Sequence, residues 1–207
     1  MTSSGMRTVS VIDRSGTERR GHSTIAPRVT PQSGIFIAPD FRDRQWCDRI
    51  RAAMERGEST PAEIHADGFV VDRQVRRTLE VDVDSATSEE VKRSLASVCQ
   101  RIARFFDIPL SSDEGPGFLR YLAGGFYRRH CDVLSDSDEE FPRRISVVMF
   151  LTSAGEQCEG GALRIYQPNM VDIPPTAGTL VAFPADTPHE VLPVTAGVRD
   201  VVVDWFS

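Results

Sequence analysis

Apolar residues recur at three-to-four spacing through Phe41, Trp46, Ile50, Ala53 and Met54, which gives a helix with one buried face. Asp40 is placed to cap that helix, which runs to about Gly57. Just before it, residues 34–39 read as a short strand stopped by Pro39. After a loop holding Pro61, the alternation Thr78-Leu79-Glu80-Val81-Asp82-Val83 predicts another strand. A second helix is expected over residues 88–106, with Val91, Leu95, Val98, Ile102 and Phe105 on one stripe. Core packing accounts for both stripes, so neither helix is assigned any chemistry.

From Gly117 the pattern changes. Short runs of β-branched and aromatic residues follow one another over 118–122, 145–151, 162–166, 179–183, 190–194 and 198–206. Gly, Pro, Asp and Ser separate them, and no helical period intervenes. That spacing predicts an antiparallel sandwich, jelly roll or barrel. The expected fold class is α+β, with N-terminal supporting helices packed outside a jelly-roll core. Residues 1–32 carry Ser, Thr, Gly and Arg with few large apolar groups, and read as a flexible leader with at most one short strand. The organisation expected is that leader followed by a single domain over 33–207, divided into helical support (33–116) and a β-core (117–207).

Composition narrows the class of protein. With 207 residues, 40% hydrophobic and 26% charged, the chain is in the ordinary globular range. It has no apolar run of the roughly 18 residues a bilayer span needs and no secretory-type start, so a cytoplasmic location and no membrane partner are expected. A net charge of −6 argues against a nucleic-acid partner. Lys92 is the one lysine beside many arginines, a bias most simply ascribed to codon usage. Cys47, Cys99, Cys131 and Cys158 form no CxxC pair and read as reduced thiols.

The chemistry concentrates in Tyr121-Leu-Ala-Gly-Gly-Phe-Tyr127-Arg-Arg-His130-Cys-Asp132. If His130 to Asp132 is extended, the imidazole and the carboxylate project from one face. A histidine near a strand end is more often a structural, hydrogen-bonded residue, so the triplet alone carries little. His189, opening a later strand, and Arg199, ten residues beyond it, change the weight of the evidence. Two histidines and one carboxylate can cap one face of an octahedral metal and leave adjacent positions open, the arrangement of non-haem Fe(II) oxygenases. A bidentate 2-oxo acid and dioxygen can fill those positions. The distal carboxylate of the oxo acid then needs a fixed cation, and a guanidinium holds it in a bidentate fork. Arg199 is placed to be that cation, and Tyr121 could add a phenolic hydrogen bond. A zinc site with the same ligands is feasible but leaves the Arg199 spacing unexplained.

In these residues the chain resembles the prolyl-4-hydroxylase-type Fe(II)/2-oxoglutarate-dependent dioxygenases. The agreement runs in order through Tyr121 to Asp132, Arg144-Ile-Ser-Val-Val-Met-Phe-Leu-Thr152, Gly160-Gly-Ala-Leu-Arg-Ile-Tyr166, Ala177-Gly-Thr-Leu-Val-Ala-Phe-Pro184, Pro188-His-Glu-Val-Leu-Pro193, Arg199 and Trp205-Phe206. The helix around Trp46-Cys47 resembles the family's support helix. The resemblance implies a double-stranded β-helix core and iron ligands His130, Asp132 and His189. It implies Arg199 as the anchor of the 2-oxoglutarate C5 carboxylate, assisted by Tyr121, with Tyr127 and Trp205 lining the pocket. Cofactors implied are Fe(II), 2-oxoglutarate and O2, with ascorbate as a candidate reductant.

Where oxygen-sensing relatives carry a second cosubstrate-binding tyrosine, this chain has Phe150, which leaves one hydrogen bond to the cosubstrate in question. Asp132 favours hydroxylation or another oxidation over halogenation, since related halogenases leave that position vacant for halide. A hydroxylase of a small molecule, such as an amino acid or a natural-product intermediate, is the favoured expectation. A peptidyl-prolyl hydroxylase acting on a protein and a non-catalytic jelly-roll metal sensor are the alternatives. Arg128 and Arg164 are candidate substrate contacts, with a surface salt bridge the competing role for Arg164. The acidic stretch 134–142 is either a solvated loop or a lid selecting a cationic substrate.

Overall fold

The structure is a computed structural model that describes residues 10–12, 18–19, 34–66, 68–110, 113–133, 143–167 and 169–207. Strands β1 (Ser10–Ile12), β2 (Glu18–Arg19) and β3 (Phe36–Ala38) precede helix α1 (Arg44–Arg56). Five short strands, β4 (Ser59–Pro61), β5 (Ile64–Ala66), β6 (Gly68–Val70), β7 (Arg76–Arg77) and β8 (Leu79–Val81), lead to α2 (Ser85–Phe106). The remainder is strand: β9 (Gly117–Leu122), β10 (Phe126–His130), β11 (Ile145–Phe150), β12 (Cys158–Gly160), β13 (Leu163–Ile165), β14 (Val171–Ile173), β15 (Leu180–Pro184), β16 (His189–Val191) and β17 (Val194–Phe206). Beyond β1 and β2, the 1–32 leader lies outside the described residues, as does the acidic stretch 134–142.

Both helices form as the apolar stripes dictate, but their caps differ from expectation. Asp43, not Asp40, caps α1, accepting the Trp46 N–H at 2.8 Å, whereas Asp40 sits in a left-handed turn with φ 52°. The Arg42 N–H donates to the Gly178 carbonyl at 3.1 Å, which holds the approach to α1 against the sheet and delays its start. Helix α2 begins at Ser85 rather than at residue 88, because the Asp84 carboxylate accepts both the backbone N–H and the hydroxyl of Thr87. Such a cap is worth about 1 kcal/mol. The stripe on α2 ends on Phe106, which is fully buried, with Phe105 packed edge-on against it and against Phe36.

Two sheets and a helical layer build the core. The larger sheet has the order β2-β1-β3-β15-β11-β17-β9-β8-β4, and the smaller is β14-β13-β16-β10-β7. Strand β11 is buried along its whole length, and its period of two sorts the layers. Ile145, Val147 and Met149 face the helices and join Trp46, Ile50, Leu95, Val98 and Ile102. Val148 and Phe150 face the second sheet and join Leu163, Ile165 and Val191. Strand β17 behaves alike, with Val202 and Phe206 toward the helices and Val201 toward the small sheet. The large sheet is thus sandwiched between helices and small sheet, and its two faces explain why these segments read as continuous apolar runs. This is the double-stranded β-helix core with supporting helices. Among the described residues, no helix is long and apolar enough to cross a membrane.

Some strand limits depart from expectation. The final strand begins at Val194, because Gly197 at φ 73° lets it bend past the Gln157 carbonyl, which a Cβ there would meet at 2.2 Å. Strand β10 ends at His130, so the extended run expected from His130 to Asp132 breaks after the histidine.

Candidate active site

Strands β10 and β16 lie side by side and antiparallel, and His130 stands directly opposite His189. The two imidazole centroids are therefore 4.2 Å apart. Asp132 follows in a bend whose backbone N–H donates to the Ala185 carbonyl at 2.8 Å, which tucks the carboxylate under both rings. Its Oδ1 lies 3.5 Å from His130 Nε2, and its Oδ2 lies 3.5 Å from His189 Nε2. The candidate ligand atoms of all three residues lie within 4.8 Å of one another.

The tautomers follow from the backbone. His130 Nδ1 is 2.8 Å from the Arg128 carbonyl, and His189 Nδ1 is 2.9 Å from the Thr187 carbonyl. A carbonyl only accepts, so each Nδ1 carries a proton and each Nε2 faces the carboxylate. Burial pushes His189 down to about 4 against a weaker opposing pull from Asp132, which keeps this imidazole neutral at physiological pH. Burial alone would raise Asp132, but His189, His130 and the Ser146 hydroxyl, at 2.6 Å from Oδ2, together hold its carboxyl well below the usual range. A neutral His189 and an ionised Asp132 are in the protonation states a metal requires. Two nitrogens and one oxygen on one side, with space on the other, fit a facial Fe(II) site.

The three candidate ligands line a cavity of about 460 Å³ between the sheets, with Arg199, Tyr121, Tyr127 and Trp205 also on its wall. Arg199 is 1% exposed, and its Nε, Nη1 and Nη2 have no hydrogen-bond partner among the described residues. Its guanidinium stands 4.8 Å from the Tyr121 ring centre and 5.4 Å from that of Phe150. The stem packs so closely on Gly161, itself at φ 67°, that a Cβ there would come within 2.7 Å of Arg199 Cδ. Burial lowers the guanidinium pKa, with the nearby Tyr121 and Cys158 opposing. A buried fork of unpaired donors is costly by itself and fits the carboxylate of an entering anion.

Tyr127 stacks on His130 at 3.5 Å between centroids, and burial pushes its phenol up to about 12, so it stays neutral. Phe183 meets His189 edge-on at 4.7 Å. Phe150 lies behind Arg199 and off the cavity wall. Arg128 donates to the Gln74 carbonyl, and Arg164 forks onto Asp172 at 2.6 and 2.8 Å, so neither lines the cavity. Residues that sequence reasoning missed are Ser146, Arg76 and Arg143. Ser146, the one polar residue in β11, aims at Asp132, and that lone hydroxyl in an apolar run is the signal that could have found it. Arg143 covers Trp205 at 3.8 Å while its fork holds Glu114, and Arg76 covers Tyr127 at 4.7 Å.

Comparison with known proteins agrees with this geometry. The family model of the 2OG-Fe(II) oxygenase superfamily matches residues 116–207. A PKHD-type hydroxylase of Stenotrophomonas maltophilia (strain R551-3) is 40% identical over 98 residues, which cover 44% of this chain and 42% of that relative, so the match spans less than half of its length. A solved Pseudomonas putida prolyl-4-hydroxylase is similar with a TM-score of 0.68 and 25% identity, over 84% of this chain and 92% of that one. A Trichoplax adhaerens prolyl hydroxylase, solved in complex with a hypoxia inducible factor oxygen degradation domain peptide fragment, has the same fold with a TM-score of 0.66 and 21% identity, over 84% of this chain and 83% of that one.

Proposed function

We propose, on the premise that residues 116–207 belong to the 2OG-Fe(II) oxygenase superfamily, that this protein is an Fe(II)- and 2-oxoglutarate-dependent hydroxylase. The observation that carries the reading is the buried, unpaired Arg199 on the same cavity wall as the His130, Asp132 and His189 cluster. A metal store has no use for such a cation.

In this reading His130 and His189 donate through Nε2 and Asp132 through its carboxylate. Iron so held supplies the oxygen chemistry by which substrate, 2-oxoglutarate and O2 become hydroxylated substrate, succinate and CO2. Arg199 takes the distal carboxylate of the cosubstrate in its fork and sets its depth in the cavity. Tyr121, buried beside it, adds a hydroxyl donor, while Phe150 offers none, so Tyr121 carries that hydrogen bond alone. Ser146 orients Asp132, and the backbone carbonyls of Arg128 and Thr187 hold the imidazoles. Tyr127 and Trp205 flank the approach to the metal and exclude water.

For the substrate we infer a polypeptide rather than the free small molecule that the sequence favoured. The name of the Pseudomonas putida neighbour supports this. Anaerobic Fe(II) with 2-oxoglutarate should give the weak visible charge-transfer band of a chelated oxo acid, and His189→Ala should abolish it. In air, succinate should form and the product should gain one oxygen atom. No band and no succinate with any peptide tried would overturn the proposal.

A further inference from the structure

We propose that Glu114 is a positioning residue for the metal site, which acts through Arg143 on the main chain at Asp132 and on the Trp205 wall of the cavity. The inference rests on the Fe(II) reading above and adds to it a residue that does not itself line the cavity.

The three candidate ligands are not equally supported. His130 and His189 stand opposite each other on paired strands, so the ladder of β10 and β16 fixes both. Asp132 lies beyond the end of β10, in a bend. Its main-chain N–H donates to the Ala185 carbonyl at 2.8 Å, and its Oδ2 accepts from the Ser146 hydroxyl at 2.6 Å. Its carbonyl accepts from Arg143 Nη1 at 3.4 Å, the longest of these contacts, which a small shift of the guanidinium would break. A metal site tolerates little error in the placing of a ligand, so the position of that guanidinium bears on the metal.

Glu114 decides the position. Arg143 Nε and Nη2 donate to Oε1 and Oε2 of Glu114 at 2.5 and 2.6 Å, and such a fork fixes the plane of the guanidinium as well as its place. The remaining nitrogen then reaches the Asp132 carbonyl, and the guanidinium carbon stands 3.8 Å from the centre of the Trp205 ring. Glu114 is held in turn by its own main chain. Its N–H donates to the Trp205 carbonyl at 3.2 Å, and Asp113 before it bridges to Phe206. A carboxylate tied to the backbone of Trp205 thus holds the cation that covers the ring of Trp205. The Glu114 side chain is 42% exposed, and an ion pair there adds little to stability. What the fork supplies is geometry, and it does for Asp132 what strand pairing does for the two histidines.

The test uses the full chain and anaerobic competition for Fe(II) with a chromophoric chelator. Glu114→Ala should weaken Fe(II) binding by about tenfold, and the isosteric Glu114→Gln, which keeps one acceptor for the fork, should fold as the wild type and lose part of that factor. Arg143→Lys keeps the ion pair but lacks the fork, and should bind Fe(II) as weakly as Glu114→Ala. Glu90→Ala, which breaks the exposed pair with Arg49, is the control and should bind as the wild type does. Acrylamide quenching of tryptophan fluorescence reads the same clamp without metal. Trp46 is 7% exposed and shielded, so the stronger quenching expected in Glu114→Ala reports Trp205. A wild type that binds no Fe(II) would overturn the oxygenase reading itself. Fe(II) binding by the wild type with equal affinity in Glu114→Gln and Glu114→Ala, full affinity in Arg143→Lys, or unchanged quenching would overturn the role of Glu114 alone.

Discussion

Replacing Arg199 by Met should act with opposite sign on the ligand-free protein and on its complex with cosubstrate. Met retains the apolar stem that packs on Gly161 and deletes three buried donor nitrogens without partners. Truncating one side of a buried, hydrogen-bonded charge pair costs about 2–5 kcal/mol, much of it the penalty for the charge left unpaired. At about 1.4 kcal/mol per tenfold, 2-oxoglutarate affinity should fall by about 30-fold to several thousand-fold. Without cosubstrate the same deletion removes a desolvated cation, and unsatisfied buried donors cost about 1–3 kcal/mol. The free variant should therefore melt higher than the wild type, by about 2–4 °C per kcal/mol for a chain of this size. Anaerobic titration with Fe(II), followed by the visible band and by thermal melts with and without 2-oxoglutarate, reads both effects. The wild type should be stabilised by cosubstrate and the variant should not. A variant that melts below the wild type and still binds 2-oxoglutarate equally well would show that Arg199 has a structural partner, and would refute the anchor.

Two further outcomes follow from the same geometry. Ser146→Ala removes the 2.6 Å hydrogen bond to Asp132 and should weaken Fe(II) binding by about 10–100-fold in a chelator competition, with the fold intact by circular dichroism; unchanged affinity would mean that Asp132 needs no support. Asp204, on the helix side of β17, is pushed up to about 7 from an ordinary 3.8, first by burial and then by the charge of Asp113. The folded chain therefore holds a proton that the unfolded chain has lost between about pH 4 and 7, and this contribution to stability declines as pH rises through that window. Asp204→Asn should flatten the decline and raise stability at pH 8 by about 1–3 kcal/mol in urea melts, while a pH slope equal to that of the wild type would contradict it.

What could be read from the sequence was whatever a periodicity or a spacing encodes. The stripe through Trp46, Ile50 and Met54 specified a buried helix face, and the His130, Asp132, His189 and Arg199 spacing specified residues that strand pairing gathers on one cavity. The cap of α1 was not legible, because Asp40 and Asp43 both precede the helix and only the Gly178 contact across the sheet chooses between them. Strand β11 has no polar-apolar alternation, since both its faces are covered, so the pattern could not say which residues meet the helices. Arg143 acts through Trp205, a partner distant in sequence, and no local signal predicts that pair, whereas for Ser146 the lone hydroxyl in the apolar run of β11 was the one sign of a polar partner.

Among the described residues the helical layer contributes no side chain to the cavity of His130, Asp132 and His189, yet it helps to place Arg199 on the wall of that cavity. Arg199 and Asp200 are neighbours on β17, so alternation sends them to opposite faces of the sheet. Arg199 enters the cavity, and Asp200, wholly buried on the other face, receives the fork of Arg120 from β9 and the Nε of Arg51 from α1 at 3.3 Å. Thr152 closes the arrangement by accepting the Asp200 N–H through its hydroxyl at 3.2 Å. A slip of one residue along β17 would put a carboxylate where Arg199 now stands and a guanidinium among the arginines that now clamp Asp200. Such a register is doubly penalised, by an unpaired buried anion in the cavity and by like charges behind the sheet. The ion cluster between α1 and β17 thus holds in register the strand that carries Arg199, and under the proposed function the affinity of the cavity for an oxo acid depends on residues that never touch it.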